Sequence, residues 1–162
     1  MTAGENPNST LVLKEEKRVF DEILGNEAGE ERVSTITSEL RALMERNVGI
    51  FRNETGLTEA ARAIRTLKER FRLITVEDKG SVFNLELTEA LELDFMLDVA
   101  EAITHSAVAR RESRGAHYRI DYPKRNDEQY LSHSLARYAK EAPRIDYLPV
   151  KLTKWKPMER VY

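Results

Sequence analysis

The strongest constraint on this chain's fold is a stripe of apolar residues through its middle. From Leu57 to about Ile74, Leu57, Ala61, Ile64, Leu67, Phe71 and Ile74 recur at steps of three and four, while Arg62, Arg65, Lys68 and Glu69 fall on the other side. That period is a helix's, and an amphipathic helix must bury its stripe against a neighbour. Three further segments offer matching stripes. Val33 to Asn47 presents Ile36, Leu40, Leu43 and Met44, with Val48 just after. A longer stretch from the N-capping Asn84 to about Arg111 carries Leu93, Met96, Leu97, Ala100, Ile103, Ala107 and Val108. Leu11 to Leu24 carries Val12, Val19, Phe20, Ile23 and Leu24, and Gly25-Asn26 supplies a stop. Small Ala90, Ala100, Ala102, Ala107 and Ala109 allow close approach of neighbours. Between the second and third stripes, Gly49 to Gly56 breaks the period, and Ile50 and Phe51 are expected to tuck inward as a plug.

Helical periodicity stops at Ser113-Arg114-Gly115, and Pro123 marks a loop. Asn126 followed three residues later by Gln129 has the capping-box spacing of a short helical turn running to Leu131. His133 to Tyr138 and Arg144 to Val150, separated by Ala139-Lys140-Glu141-Ala142-Pro143, suit a small β-hairpin. The expected fold is mainly α: an antiparallel bundle of three to four helices with a small C-terminal β-hairpin and an extended tail. Residues 1–10 read as a flexible arm, 11–122 as the bundle, and 123–162 as the turn, hairpin and tail.

The 41% hydrophobic and 33% charged residues in a chain of 162 suit one folded, soluble domain. No window approaches the roughly 18 to 20 apolar residues of a membrane span, and the first residues lack a signal-peptide layout, so a cytosolic or cytosol-facing location is expected. The absence of cysteine excludes disulfides, thiolate metal sites, Cys-bound iron–sulfur clusters and a Cys nucleophile. Residues 1–100 hold 13 Lys and Arg against 20 Asp and Glu, whereas residues 101–162 hold 13 against 8. The basic half is interleaved with tyrosines and Trp155, a pattern compatible with single-stranded nucleic acid. The plainer reading is that the halves neutralise each other or that the basic half docks on something acidic, so no nucleic acid is expected.

The chain offers little chemistry of its own. Neither G-x-G-x-x-G nor G-x-x-x-x-G-K-[ST] occurs, so no dinucleotide or triphosphate cradle is expected. His105, His117 and His133 lie 12 and 16 residues apart, without the spacing of a metal site. His105 and Ser106 are adjacent on a helix and diverge by about 100°, which separates them as base and nucleophile. Glu15-Glu16 and Glu30-Glu31 read as surface charge. No catalytic, cofactor-binding or metal-binding residue is assigned.

The unusual segment follows the longest stripe. Arg110, Arg111, Arg114, His117 and Arg119 crowd the end of a predicted helix, with Arg125 just beyond, and Gly115 is placed to take the left-handed conformation that ends the helix. Three readings stand: a helix cap with internal arginine pairs to Glu112 and Asp121, a docking surface for an acidic partner or domain, and a clamp for a substrate carboxylate.

Arg111-Glu112-Ser113-Arg114-Gly115-Ala116-His117, then Arg119-x-Asp121-Tyr122-Pro123-x-Arg125-Asn126-Asp127, then Leu131-x-His133-x-Leu135 and Tyr147-x-Pro149-Val150 resemble, in order, the C-terminal region of succinate dehydrogenase and fumarate reductase flavoproteins. Leu40-x-x-x-Met44, Asn47 to Arg52 and Glu92-Leu93-x-x-Met96-Leu97 also fit, so the resemblance covers roughly Val33 to Tyr162. L-aspartate oxidase has a similar Glu-Ser-Arg-Gly-x-His helix end and ranks second, and an adenylylsulfate-reductase-like flavoprotein third. The resemblance implies a parent enzyme that interconverts succinate and fumarate by hydride transfer at FAD. It passes electrons to an iron–sulfur subunit on a membrane anchor. The family's flavin and substrate residues fall upstream of the matching region, so the chain alone is expected to be inactive and to hold no cofactor. Its expected partners are the upstream flavin-binding domain and the iron–sulfur subunit, and the membrane anchor only indirectly, at the cytoplasmic face. Arg111, Glu112, Arg114, His117, Arg119, Asp121 and Arg125 are the expected docking residues. Met1 is expected to begin a truncated piece or to follow an interrupted reading frame, and Pro157 to Tyr162 looks like the natural end of such a subunit. The rival of another class is a free-standing interaction module. An in-frame glycine-rich nucleotide fingerprint in the DNA upstream of Met1 would separate the two.

Overall fold

The computed structural model describes residues 9–80, 82–155, 157 and 158. Most of the expected flexible arm and the last four residues lie outside this range. Helix α1 (Ser9–Lys17) runs without a break into a π-helical segment, Arg18–Leu24. The bundle proper consists of α2 (Val33–Val48), α3 (Glu54–Phe71) and α4 (Leu85–Ala109). A two-residue strand β1 (Phe51–Arg52) precedes α3 and pairs in parallel with β2 (Tyr118–Arg119), with Phe51 opposite Tyr118 and Arg52 opposite Arg119. A short helix α5 (Asp127–Tyr130) leads into the antiparallel hairpin of β3 (Ser132–Arg137) and β4 (Arg144–Pro149). The mainly-α bundle with its C-terminal hairpin is thus the fold the sequence pattern calls for. Among the described residues, no helix is long and apolar enough to cross a membrane.

The core lies where the three long helices meet. Ile36, Leu40 and Leu43 of α2, Leu57, Ala60, Ile64 and Leu67 of α3, and Ala90, Leu93, Leu97, Ala100 and Ala107 of α4 are all buried. The alanines keep α4 close to its neighbours, because a side chain ending at Cβ sets a short interhelical distance. Caps fix the helix starts. The Asn84 side chain accepts the Leu87 N–H at 2.8 Å, and Asn126 accepts the Gln129 N–H at 3.1 Å.

Several expectations are corrected. Leu11 to Leu24 is not one α-helix: Arg18 reaches back to Glu15 at 2.6 Å and across to Asp94 of α4 at 2.6 Å, and the widened π turn carries Ile23 into the core. Seven residues are too few for an apolar pattern to separate the two helical periods. Helix α3 starts at Glu54 rather than Leu57, because Asn53 caps it by accepting the Gly56 N–H at 2.8 Å. It also stops at Phe71. Ile74 is buried by a different device, a bridge in which Glu31 N–H donates to Leu73 O and Thr75 N–H donates to Glu31 O. Gly29 makes that crossing possible, since a Cβ there would lie 2.4 Å from the Leu73 carbonyl oxygen.

Ile50 and Phe51 do not tuck inward. Phe51 is 69% exposed and Ile50 is also exposed. Pairing β1 with β2 puts the Phe51 ring edge-on to Tyr118, with centroids 5.6 Å apart, on the outer side of the two-stranded ribbon. Helix α4 ends at Ala109 with Arg110 extended, so Gly115 does not terminate it. Gly115 (φ +59°) instead makes the tight turn in which Arg114 and His117 exchange backbone hydrogen bonds of 2.8 and 3.1 Å.

Helix α4 is apolar on two sides. Phe95, Val99 and Ile103, four residues apart, form an exposed stripe beside a groove of about 370 Å³ that also involves Leu40 and Met44 of α2. Only the inner side stabilises the isolated fold. Ile64→Ala is expected to cost about 2–5 kcal/mol, and Phe95→Ala within about 0.5 kcal/mol, read as the shift in urea midpoint at constant slope.

Candidate functional site

The arginine-rich segment after α4 folds into two ion-paired knots. In the first, Arg119 is fully buried and uses every edge of its guanidinium. Nη1 donates to the carbonyl oxygens of Ala107 (3.1 Å) and Val108 (3.4 Å), which helix α4 leaves open at its end. Nε and Nη2 hold Asp121 at 2.7 and 2.8 Å, and Nη2 also reaches Glu54 at 2.7 Å. Asp121 in turn accepts the Glu54 N–H at 2.9 Å, at the start of α3. One side chain therefore ties the negative end of one helix dipole to the positive end of another through a carboxylate. The Arg119 hydrogen bonds hold the Asp121 carboxyl down at about 2. The Tyr122 ring lies 5.0 Å from the guanidinium and covers it.

In the second knot Glu112 is fully buried and accepts four hydrogen bonds. Its donors are Arg110 Nη1 (2.6 Å), Arg114 Nε (2.8 Å) and Nη2 (3.0 Å), and the Asn126 N–H (2.7 Å). Burial alone would push this carboxyl up, but Arg114, the Asn126 N–H and Arg110 together leave it below the ordinary carboxylate range. Arg110 continues to the Tyr130 and Ser132 carbonyl oxygens at 2.9 and 2.6 Å, and Arg114 continues to Asp127 at 2.5 Å. This knot therefore fixes α5 and the hairpin against the end of α4. Ser113 links the two knots, its Oγ accepting the Arg119 N–H at 2.9 Å.

Of the seven residues singled out in the sequence, six fall in these knots or beside them. Glu112, Arg114, Arg119 and Asp121 are members. Arg125 pairs with Asp127 at 3.0 Å and donates to the Met158 carbonyl oxygen. His117, half-buried, sits between Arg52 and the Arg110 carbonyl oxygen at 2.8 and 3.0 Å. Arg111 differs: it is exposed, and among the described residues its one ion pair is a 3.7 Å approach to Glu54. The internal pairing of arginine with Glu112 and Asp121 is thus present, and it uses guanidinium groups that a docking surface would otherwise offer. Sequence reasoning missed Glu54, Arg110 and Asp127 as members and Arg52 as the partner of His117. Arg52 and Asp127 lay inside runs matched to the family, and Arg110 lay inside the basic segment, so these three carried a usable signal.

Outward from the first knot, the β1–β2 ribbon shows an apolar ridge. Phe51 and Tyr118 stand edge to face, flanked in sequence by exposed Ile50 and Ile120. A cavity of about 840 Å³ lies elsewhere, between the π-helical segment, α3, α4 and the hairpin tip. Ion pairs line part of its wall, Arg18 with Asp94 and Lys68 with Asp98 and Glu101. Among the described residues, no group of three His, Asp or Glu side chains converges as a metal site would require.

Arg119→Met is expected to lower stability by about 3 kcal/mol, near the low end for a broken buried pair because Asp121 and Glu54 keep some access to water. Arg119→Lys should recover only part of this, since an ammonium cannot reproduce the planar fork. The carboxyls of Asp121, Glu112 and Asp127 all lie below their ordinary values. Their contribution is present above about pH 4 and is lost as pH falls through their lowered folded values, about 2 for Asp121, which urea midpoints at acid pH would show.

Residues 37–162 match the fumarate reductase flavoprotein C-terminal family. The fumarate reductase flavoprotein subunit of Haemophilus influenzae is 46% identical over 142 residues, 87% of this chain and 24% of that protein. That of Mycobacterium tuberculosis is 44% identical over 146 residues, 90% of this chain and 25% of that protein. Among solved structures, a quinol fumarate reductase of Escherichia coli superposes with a TM-score of 0.89 at 36% identity, covering 99% of this chain and 28% of that one. The chain spans about a quarter of the length of the curated relatives it matches. With the family match running through both knots, the ridge and the hairpin, this chain belongs to the fumarate reductase flavoprotein C-terminal family, as a C-terminal helical domain of the fumarate reductase and succinate dehydrogenase flavoprotein subunit.

Proposed function

We propose that this domain is a docking element of a flavoprotein that interconverts succinate and fumarate by hydride transfer at FAD and passes electrons to an iron–sulfur subunit. The observation that carries the reading is the exposed aromatic ridge of Phe51 and Tyr118 on the ribbon beside the fully buried Arg119 knot, with Ile50 and Ile120 exposed near it in sequence. Exposed aromatic and branched side chains on a rigid two-stranded ribbon are what a partner surface buries, and large exposed apolar patches on a folded domain mark such contacts. Arg111, exposed at the edge of the knot, supplies a charge for an acidic neighbour. The expected occupant of the ridge is the flavin-binding part of the same subunit. Arg114, His117, Arg119 and Arg125 act by holding the ridge in shape, and Arg111 acts by direct contact. Flavin binding and catalysis belong to the remainder of the subunit, and membrane association at the cytoplasmic face is indirect, through partner subunits.

Two measurements test this. The purified chain is expected to be colourless and inactive toward succinate and fumarate, and a bound-flavin band in the visible blue would overturn that division of labour. In the full-length flavoprotein, Phe51→Asp combined with Arg111→Glu is expected to weaken assembly and lower turnover by at least about tenfold, the equivalent of about 1.4 kcal/mol. The same changes should leave the urea midpoint of the isolated domain almost unmoved, and unchanged assembly and turnover would reduce the segment to a helix cap.

A further inference from the structure

We propose that His117 is a pH-sensitive latch: its neutral ring ties β1 to the end of α4, and protonation releases that tie. The geometry fixes the proton. Arg52 Nη1 lies 2.8 Å from Nδ1, and a guanidinium can only donate, so Nδ1 must be the bare acceptor. Nε2 lies 3.0 Å from the Arg110 carbonyl oxygen, which can only accept, so the proton sits on Nε2. The ring is thus a relay with one donor end and one acceptor end, and only the neutral Nε2–H tautomer satisfies both.

The two ends reach different elements. Arg52 also donates from Nε to the carbonyl oxygens of Val48 and Gly49 at 3.1 and 2.7 Å, closing the C-terminal end of α2. The Arg110 carbonyl belongs to the residue that caps α4. His117 therefore joins the end of α2 to the end of α4 through Arg52, beside the backbone bond from Ile120 N–H to Arg52 O at 2.8 Å. The turn at Gly115 holds the ring in place through the mutual Arg114–His117 backbone bonds.

The surroundings oppose a second proton. The charged groups facing the ring are Arg52 from β1, Arg110 from the end of α4 and Arg119 from β2. The carboxylates nearest to these arginines are already engaged: Glu112 with Arg110, and Glu54 and Asp121 with Arg119. Burial and, after it, these three arginines hold the imidazole below its ordinary value, against the pull of the Arg110 carbonyl. The latch contribution is then complete above about pH 6.5, the unfolded value, and is lost as pH falls through the lower folded value. A proton on Nδ1 would point at the Arg52 guanidinium, so the Arg52 end lets go while the Arg110 end stays. Phe51 rides on the released strand, and its consequence for docking rests on the reading above. The latch itself does not.

The test uses the whole chain. Long-range ¹⁵N–¹H spectra of the histidine rings between pH 4.5 and 8 are expected to show His117 as the Nε2–H tautomer, titrating below a peptide histidine. Exchange protection of the Ile120 amide, corrected for intrinsic rates, should fall on acidification. The fall should be about tenfold for each unit by which His117 lies below the peptide value. His117→Gln keeps one acceptor and one donor without a titrating group, and its Ile120 protection should lose that dependence. An Nδ1–H tautomer, titration at or above the peptide value, or an equal fall in both proteins would overturn the latch. Should the variant fail to fold, the ring spectra of the native chain decide alone. A titrating latch alongside pH-independent assembly of the full flavoprotein would uncouple the latch from docking and leave the latch standing, whereas failure of the docking reading itself shows in the Phe51→Asp and Arg111→Glu assembly test.

Discussion

The fold beyond the bundle depends on one buried cation. Arg119 is enclosed on all sides, and an unpaired charge there would be prohibitive, so its partners are obligatory. They come from three elements: two open carbonyls at the end of α4, Glu54 at the start of α3, and Asp121 just past β2. These are groups that helix ends leave without intrahelical partners or that stand beside them. The arginine solves two problems at once. It satisfies the carbonyls of a 25-residue helix that stops without a glycine cap, and it positions the carboxylate that closes the next helix's N-terminus. The β1–β2 ribbon is too short to be stable by its own pairing and exists because this knot holds both strands.

Legibility in the sequence followed range. Caps made within three residues, Asn84 to Leu87 and Asn126 to Gln129, could be read directly, because residue type and offset carry the signal. Arginine pairs two residues from their carboxylates, Arg114 with Glu112 and Arg119 with Asp121, were equally visible. The Arg52–His117 and Arg119–Glu54 bonds each cross 65 residues, and nothing local announces them. Asn53 was hidden for another reason: it lies between Gly49 and Gly56, where breaker residues mask a cap. Phe51 was misplaced because a two-residue strand is too short for alternation to reveal which side faces out.

Helix α4 shows where apolar periodicity stops being informative. The sequence stripe marks the inner side of Leu93, Leu97 and Ala100 correctly, but it also takes in Ile103, which lies with Phe95 and Val99 on an outer side that is equally apolar and exposed. Burial by α2 and α3 decides which side is core. Only small residues such as Ala90, Ala100 and Ala107 allow the close approach those neighbours require, and the larger outer residues are left at the surface. A helix with two apolar sides in a bundle of three has one more surface than the bundle can cover.

Why charges rather than apolar residues hold the segment after α4 follows from what must be held. A buried ion pair is a weak source of stability, and well-packed apolar residues of similar volume often do as well or better. Apolar packing, however, is non-directional and fixes neither the register of a two-residue ribbon nor the angle of a hairpin. The guanidinium fork is directional. Arg119 and Arg110 each bond to backbone carbonyls and carboxylates at defined angles, so a one-residue slip would leave a buried charge without partners. The knots therefore spend little on net stability and much on shape, and shape is what the exposed ridge of Phe51 and Tyr118 needs if it is to meet a partner surface without first being ordered.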